Sequence, residues 1–351
     1  MSYTVNEPAT ARISVIVPVR NDAGHLRRCL EALRVSECRD FELIVVDDAS
    51  TDDTPRVAEE LGARVVRMER NGGPGRARNR GAEEARGDVI FFIDADVCVH
   101  PDTVGKVAES FASDPDLAAV FGSYDLMPRA ATFLSQYKNL FHHYVHQRAS
   151  ERASTFWAGC GGVRKGVFRQ LGGFDVEYGR PSIEDIEFGA RMYKSGHKIL
   201  LRKDLEVTHL KRWTLWGLLK TDVKDRGVPW TRLILREKSL PNDLNLKTSQ
   251  RVCAVLAYVL VAAVLAGVFY PKTLWVAAAC LAGIVLLNLD FYQFFLRQRG
   301  WWFTVRVVPM HVLYYLYSAA AFTTGVGLHL WDTKVARPQK GMAVARAPQA
   351  P

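Results

Sequence analysis

The chain has only six cysteines in 351 residues (Cys29, Cys38, Cys98, Cys160, Cys253, Cys280), and no two of them form a CxxC pair. That excludes a zinc-ribbon or disulfide framework and points to a reducing compartment. The segment Met1 to Arg12 lacks the basic-then-apolar pattern of a secretory leader, so the first domain is expected to stay on the cytosolic side. No nucleic-acid recognition module accompanies the net charge of +9, which directs the basic balance toward anionic membrane lipids and away from nucleic acid. The glycine-rich run Asn71-Gly72-Gly73-Pro74-Gly75-Arg76-Ala77-Arg78-Asn79 lacks the GK[ST] ending of a P-loop.

What is present divides in two. Up to about Gln250 the sequence is charged and mixed; from Val252 to Trp331 it is dominated by Ala, Val, Leu and aromatics. In the first part, short apolar runs alternate with helical patterns. Ile13 to Pro18 reads as a buried strand, Ala23 to Leu33 as a helix, Phe41 to Val46 as a strand, and Thr54 as the cap of a helix with Pro55 in its first turn. Ala63 to Val66 reads as a strand, Pro74 to Ala85 as a helix and Val89 to Ile93 as a strand. This alternation predicts an α/β fold: a Rossmann-like, mainly parallel sheet with helices on both faces, followed by an α-helical transmembrane region.

In the tail, Val252 to Tyr270, Thr273 to Leu289 and Val307 to Trp331 approach the roughly 17 to 25 residues needed to cross a bilayer. Two or three crossings are expected. Pro309 and Gly325-Val326-Gly327 leave room for a bent third segment. Three complete crossings would put the basic end (Lys334, Arg337, Lys340, Arg346) outside, against the positive-inside pattern. The expected divisions are a catalytic domain at 1–212, amphipathic interface helices and linker at 213–250, a transmembrane region at 251–331 and a basic disordered tail at 332–351. The aromatic and basic stretches Phe133 to Arg148 and Trp213 to Arg236 read as helices lying in the membrane interface. His142, His143 and His146 could form a metal set by spacing, but interface or acceptor contact is the preferred reading.

Ligands of such sheets bind beyond the carboxyl ends of the strands. Asp47 and Asp48 close one strand there, and Asp94 and Asp96 close another. Asp94-Ala95-Asp96 supplies hard oxygen ligands suited to Mg²⁺ or Mn²⁺, which can hold a diphosphate. Asp52 and Asp53 fit a capping turn, whereas Asp48 faces the same crevice as Asp96 and reads as a ligand-binding group. The glycines at 72–75 permit close backbone approach, and Arg78 can pair with phosphate; a plain loop before a helix is the alternative. Glu184 and Asp185 open a helix, where the dipole favours ionised carboxylates; either helix-end charge or deprotonation of an acceptor hydroxyl explains them. Asp185 is the preferred base, with Glu184 nearby.

Taken in order, Ser14 to Asn21, Val45 to Asp52, the glycine and Ala77-Arg78-Asn79 segment, Asp94 to Asp96, Gly172-Gly173-Phe174-Asp175 and Glu184-Asp185 resemble the motif series of family 2 glycosyltransferases with the GT-A fold, over about Ile13 to Trp213. The resemblance implies an inverting reaction. It implies a donor nucleotide-sugar, UDP- or GDP-linked, held by Pro18, Asp48, Arg78, Asn79, Asp94 and Asp96, with Asp48 on the nucleobase, Asp96 on the metal and Asp185 as base. It also places His209 where related enzymes supply a histidine to the metal. Processive members carry QxxRW, but here His209-Leu210-Lys211-Arg212-Trp213 lacks the glutamine, so polymer synthesis is disfavoured. Arg212 and Trp213 remain candidates for contact with the acceptor or diphosphate.

The expected protein is therefore an integral cytoplasmic-membrane glycosyltransferase acting on a lipid-linked, polyprenyl-linked or glycan acceptor. The competing readings are a nucleotidyltransferase on a similar sheet and a non-catalytic membrane scaffold.

Overall fold

The computed structural model describes residues 12–237 and 247–335. Strand β1 (Ile13–Val19) is buried at every residue, as a strand covered on both faces requires. Helix α1 (Ala23–Arg34) turns Leu26, Cys29, Leu30 and Leu33 inward at helical spacing. Strand β2 (Phe41–Asp47) and helix α2 (Thr54–Glu60) follow. Thr54, expected as the cap, is instead the first helical residue, and its hydroxyl accepts from the Asp22 N–H at 3.0 Å. Next come β3 (Arg64–Arg67), α3 (Pro74–Glu84), β4 (Val89–Ile93), β5 (Val97–Val99), α4 (Thr103–Ser113) and β6 (Leu117–Tyr124). The domain continues through α5 (Phe133–Arg148), β7 (Cys160–Arg164), α6 (Lys165–Gln170), α7 (Glu184–Lys194) and β8 (Lys198–His209).

The strands form one sheet in the order β3-β2-β1-β4-β7-β6-β8-β5. The half read from the sequence, β3-β2-β1-β4, is parallel throughout. The other half is mixed, because β7 runs antiparallel to both β4 and β6, and β5 antiparallel to β8. Alternate strand residues serve opposite faces. Val15, Val17, Phe91 and Ile93 pack with α1 and α4 on one side; Ile16, Ile44 and Phe92 pack with α3, α6 and α7 on the other. Each face buries its own apolar cluster, so the α/β expectation holds.

Beyond β8 run α8 (Leu215–Leu219), a π-helical turn (Lys220–Gly227), α9 (Val228–Glu237), α10 (Thr248–Ala266), α11 (Thr273–Leu287) and α12 (Leu289–Val335). Among the described residues only α10 is by itself long and apolar enough to cross a bilayer; α11 and α12 form a pair bent by 72° that gives at most a second crossing. Among the described residues, length and composition thus give one or two candidate crossings, where two or three were expected. The bend falls at Asn288, not at Pro309, which lies inside α12. Asn288 donates to the Ile284 carbonyl at 2.8 Å and its Oδ1 accepts from Tyr315 Oη at 3.0 Å and Gln250 Nε2 at 3.1 Å, a buried polar knot joining three helices. Gly300, with φ 79°, breaks α12 again, a conformation that glycine adopts without steric cost. The basic residues Arg337, Lys340 and Arg346 lie outside the described residues.

Helix α5 differs from expectation. It is not a surface helix: Tyr137, Leu140 and Phe141 are buried against Phe291, Phe295 and Val307 of α12. Its other side is tied to the sheet by His143 Nδ1 to the Tyr124 carbonyl (2.8 Å) and His146 Nδ1 to the Gly122 carbonyl (3.0 Å). The aromatics expected to meet lipid thus join the sheet to the tail.

Candidate active site

A cleft of about 620 Å³ lies beyond the carboxyl ends of β1, β2 and β4. Pro18, Asp48, Arg78, Asp94, Asp96, Glu184, Asp185, His209 and Trp213 all line it. Two predicted residues do not. Asn79 is turned onto the loop before α7, donating to the Phe174 carbonyl and accepting from the Phe174 N–H at 2.8 Å each. Arg212 is exposed and outside the lining, whereas its neighbour Lys211 faces in, its Nζ 4.5 Å from the Trp213 ring centroid.

Asp48 builds a wall of the cleft. Its carboxylate accepts from the N–H groups of Gly72 (2.6 Å) and Gly73 (2.9 Å), fixing the glycine turn before α3. Gly73 has φ 81°, and a Cβ there would sit 2.6 Å from the Gly179 carbonyl oxygen, so only glycine lets these two loops meet.

Arg78 lines the cleft and is paired with two carboxylates. Its guanidinium is buried and reaches Glu184 Oε1 at 2.9 Å and Asp94 Oδ1 at 2.7 Å. Glu184 also accepts from the Ser182 N–H at 3.0 Å, so this carboxylate ties Arg78 to the start of α7. A buried arginine bound by two carboxylates holds α7 against the end of β4.

Asp96 and His209 come together through the sheet. Val97 of β5 pairs with His209 of β8, and the Leu210 N–H donates to the Asp96 carbonyl at 2.8 Å. This register sets His209 Nε2 3.5 Å from Asp96 Oδ2, while the ring stacks on Tyr124 with centroids 4.2 Å apart. Burial raises the Asp96 carboxyl, but the His209 ring, with Lys211 and His25, outweighs it and holds the group at about 2. Among the described residues, no group of three or more His, Cys, Asp or Glu side chains is placed to hold a metal. That includes His142, His143 and His146.

Asp185 stands apart from these paired groups. Its Oδ2 accepts from the Ala158 N–H at 3.1 Å and its Oδ1 from the Ile186 N–H at 2.8 Å, and among the described residues no cation forms an ion pair with it. Burial, reinforced by the Glu184 charge, pushes its carboxyl up to about 6 against the opposing pull of Arg78 and the Ala158 N–H. The helix is seated by Gly189, where a Cβ would meet the Phe156 nitrogen at 2.2 Å. Asp185 also borders a second, more apolar cavity of about 260 Å³ against α5, α9 and α12.

Sequence reasoning missed Tyr124, Lys138, Asp222 and Arg226 as site residues. The last two belong to the π-helical turn, and Lys138 Nζ binds Asp222 Oδ1 at 2.6 Å across 84 positions of sequence. The mixture of basic and aromatic residues in both segments was the available signal, but it gave no partner.

The Glycosyl transferase family 2 model matches residues 14–172. The chain is 37% identical over 113 residues to EpsH of Bacillus subtilis (strain 168), covering 31% of this chain and only 33% of that protein. It is 28% identical over 193 residues to the PGL/p-HBAD biosynthesis glycosyltransferase of Mycobacterium bovis, covering 53% and 72%. A mannosyltransferase from Pyrobaculum calidifontis, solved with GDP-Man and Mn²⁺, superposes with a TM-score of 0.57 at 18% identity, over 93% of this chain and 90% of that one. That likeness bears on fold alone. With the ordered acidic sites on the carboxyl edge of its sheet, this chain carries a family 2 glycosyltransferase domain with the GT-A fold.

Proposed function

We propose that this chain is an inverting, metal-dependent glycosyltransferase that moves a sugar from a UDP- or GDP-sugar to an acceptor hydroxyl presented at the membrane. The observation that carries this reading is Asp185, an unpaired carboxylate that borders both the polar cleft and the second cavity. With its pKa raised toward neutrality, it can take the proton of a hydroxyl as that oxygen attacks the anomeric carbon.

Asp96 and His209 turn one carboxylate and one imidazole into the same cleft. Mg²⁺ and Mn²⁺ are commonly held by few protein groups, with water and phosphate oxygens completing the shell, so this pair fits either ion. Asp94 contributes less, since Arg78 occupies its Oδ1. Such an ion, when bound, supplies positive charge against the departing nucleoside diphosphate. Lys211 and Trp213 stand at the same end of the cleft for the diphosphate or acceptor, and Pro18 and Asp48 form the wall suited to the nucleobase.

The tail is read as an anchor in the cytoplasmic membrane, with residues 1–212 on the cytosolic side and 213–250 at the interface. Supporting this, α10 has only 17% of its apolar window buried, and Phe269, Trp275, Trp301 and Trp331 are exposed, which a water-facing helix bundle does not favour. On α8, Trp216 is 76% exposed, as an interfacial anchor requires. Two crossings, α10 and the bent pair, would return the end of α12 to the cytosolic side, the arrangement that the positive-inside pattern favours.

The test is calorimetric binding of nucleoside diphosphates and nucleotide-sugars to the full chain in detergent, with and without Mn²⁺. Binding of one base class, dependent on the metal and lost in Asp96→Ala, is the expected result. Absence of binding to every donor points to a scaffold, and release of pyrophosphate instead of a nucleoside diphosphate points to a nucleotidyltransferase.

A further inference from the structure

The second cavity is a slot between α5, α9 and α12 whose wall includes Phe141, Val145, Trp230, Ile234, Tyr314 and Phe322. One side of it is therefore built by the tail itself, and Phe322 is also 45% exposed on the outside of α12. On the reading of the tail as a membrane anchor, an apolar chain would enter this slot beside Phe322. At its inner end the slot meets the donor cleft, since Lys138, His142, Trp157, Ser182, Asp185 and Arg226 line both.

The charges facing the slot are two cations, Lys138 and Arg226, and two carboxylates, Asp185 and Asp222. Lys138 Nζ lies 2.6 and 2.7 Å from the two oxygens of Asp222, which also accepts from Tyr317 Oη at 2.7 Å. Arg226 lies in the field of Asp222, Asp185 and Glu184. Lys138 is thus held by Asp222, and the four charges facing the slot sum to zero when Asp185 is ionised. An anionic headgroup would have to separate the buried Lys138–Asp222 pair, or sit beside Asp185 with no net charge to meet it. A neutral hydroxyl meets neither obstacle and finds in Asp185 a hydrogen-bond acceptor.

Building on the glycosyltransferase reading above, we propose that the acceptor is a neutral, hydroxyl-bearing amphiphile, such as a lipid-linked sugar or lipid alcohol, with its apolar chain in the α5–α9–α12 slot. A lipid phosphate is not the acceptor. The acceptor oxygen forms the new bond to the anomeric carbon and its proton passes to Asp185. The bond from that carbon to the phosphate oxygen breaks, and its electron pair leaves with the nucleoside diphosphate.

The test uses the full chain in nanodiscs with whichever nucleotide-sugar the binding panel selects, offered a long-chain alkyl glucoside or the matching alkyl phosphate. Transfer to the glucoside is expected, with the alkyl phosphate used at less than roughly one-tenth of that rate. Ile234→Trp and Ser318→Phe, which fill the slot from two different helices, should each raise KM for the long-chain glucoside roughly tenfold more than KM for methyl glucoside, since each buried methylene contributes to binding. Equal or better use of the alkyl phosphate overturns the proposal. So does transfer to neither amphiphile despite donor binding, or an unchanged ratio of KM values in both folded variants. A wild-type chain that binds no nucleotide-sugar overturns the glycosyltransferase reading beneath it, and the separate binding measurement tells the two failures apart.

Discussion

Replacing Asp185 by Asn removes a base while keeping the side chain's shape. The folded carboxyl titrates at about 6, above its ordinary 3.8, because burial and Glu184 disfavour the charge. The folded protein therefore binds this proton more tightly than the unfolded chain does. The group's stabilising contribution is fully present below about 3.8 and is lost as pH rises through about 6. At neutral pH the charge costs roughly 2–3 kcal/mol, and Asn relieves that cost. Against this, an amide has only one acceptor oxygen, so the N–H of Ala158 or of Ile186 loses its partner, at about 1–3 kcal/mol. The two effects nearly cancel, so Asp185→Asn should melt within a few degrees of wild type. Activity should not survive: removal of a general base is expected to lower kcat by about 10²–10⁴-fold. Wild-type kcat/KM should rise with pH through about 6 as the carboxyl ionises, and that limb should vanish in the mutant. Initial rates of nucleoside diphosphate release between pH 4 and 9, with melting curves alongside, decide it. Turnover within about threefold of wild type, or an acid limb that persists in the mutant, would refute the assignment.

Other consequences follow from the packing around the site. Arg78→Met leaves Asp94 and Glu184 without their shared cation, and urea unfolding should show a loss of about 3–5 kcal/mol; a loss below about 1 kcal/mol would mean the triad does not hold α7 in place. Gly189→Ala drives a methyl into the backbone at Phe156, so the expected cost is about 1–3 kcal/mol together with reduced turnover as Asp185 is displaced. Thermal melts and rates measured on one preparation would check both effects. Lys138→Met should destabilise by about 3–5 kcal/mol by stranding Asp222, whereas Lys138→Met with Asp222→Leu should recover most of the loss. A double mutant no more stable than the single would show that the pair is not the source.

Much of the first half of the sheet was legible because a strand buried on both faces is a near-continuous apolar run, and Val89 to Ile93 and, but for Ser14, Ile13 to Val19 are such runs. The acidic sites were legible for the same reason: polar residues closing a buried strand can only lie at its mouth. Helix α5 was misread because aromatics mixed with basic residues look alike whether a helix lies on lipid or between two protein layers. The bonds that Arg78 makes to Asp94 and Glu184, and Asn79 to Phe174, were not legible, because sequence shows which groups can bind phosphate but not which groups are already bonded.

Local chemistry by itself determined the alternating elements of the first half of the sheet, the acidic residues at its carboxyl edge and an apolar tail, since each depends on residues adjacent in the chain. Tertiary structure alone decided three other things. It placed His209 beside Asp96, through the pairing of β5 with β8. It closed Arg78 onto Asp94 and Glu184. It built an apolar slot ending on Asp185 from helices far apart in sequence. All three rest on contacts between residues separated by many positions, and such contacts are selected by the packing of the whole domain, not by the pattern of any one segment.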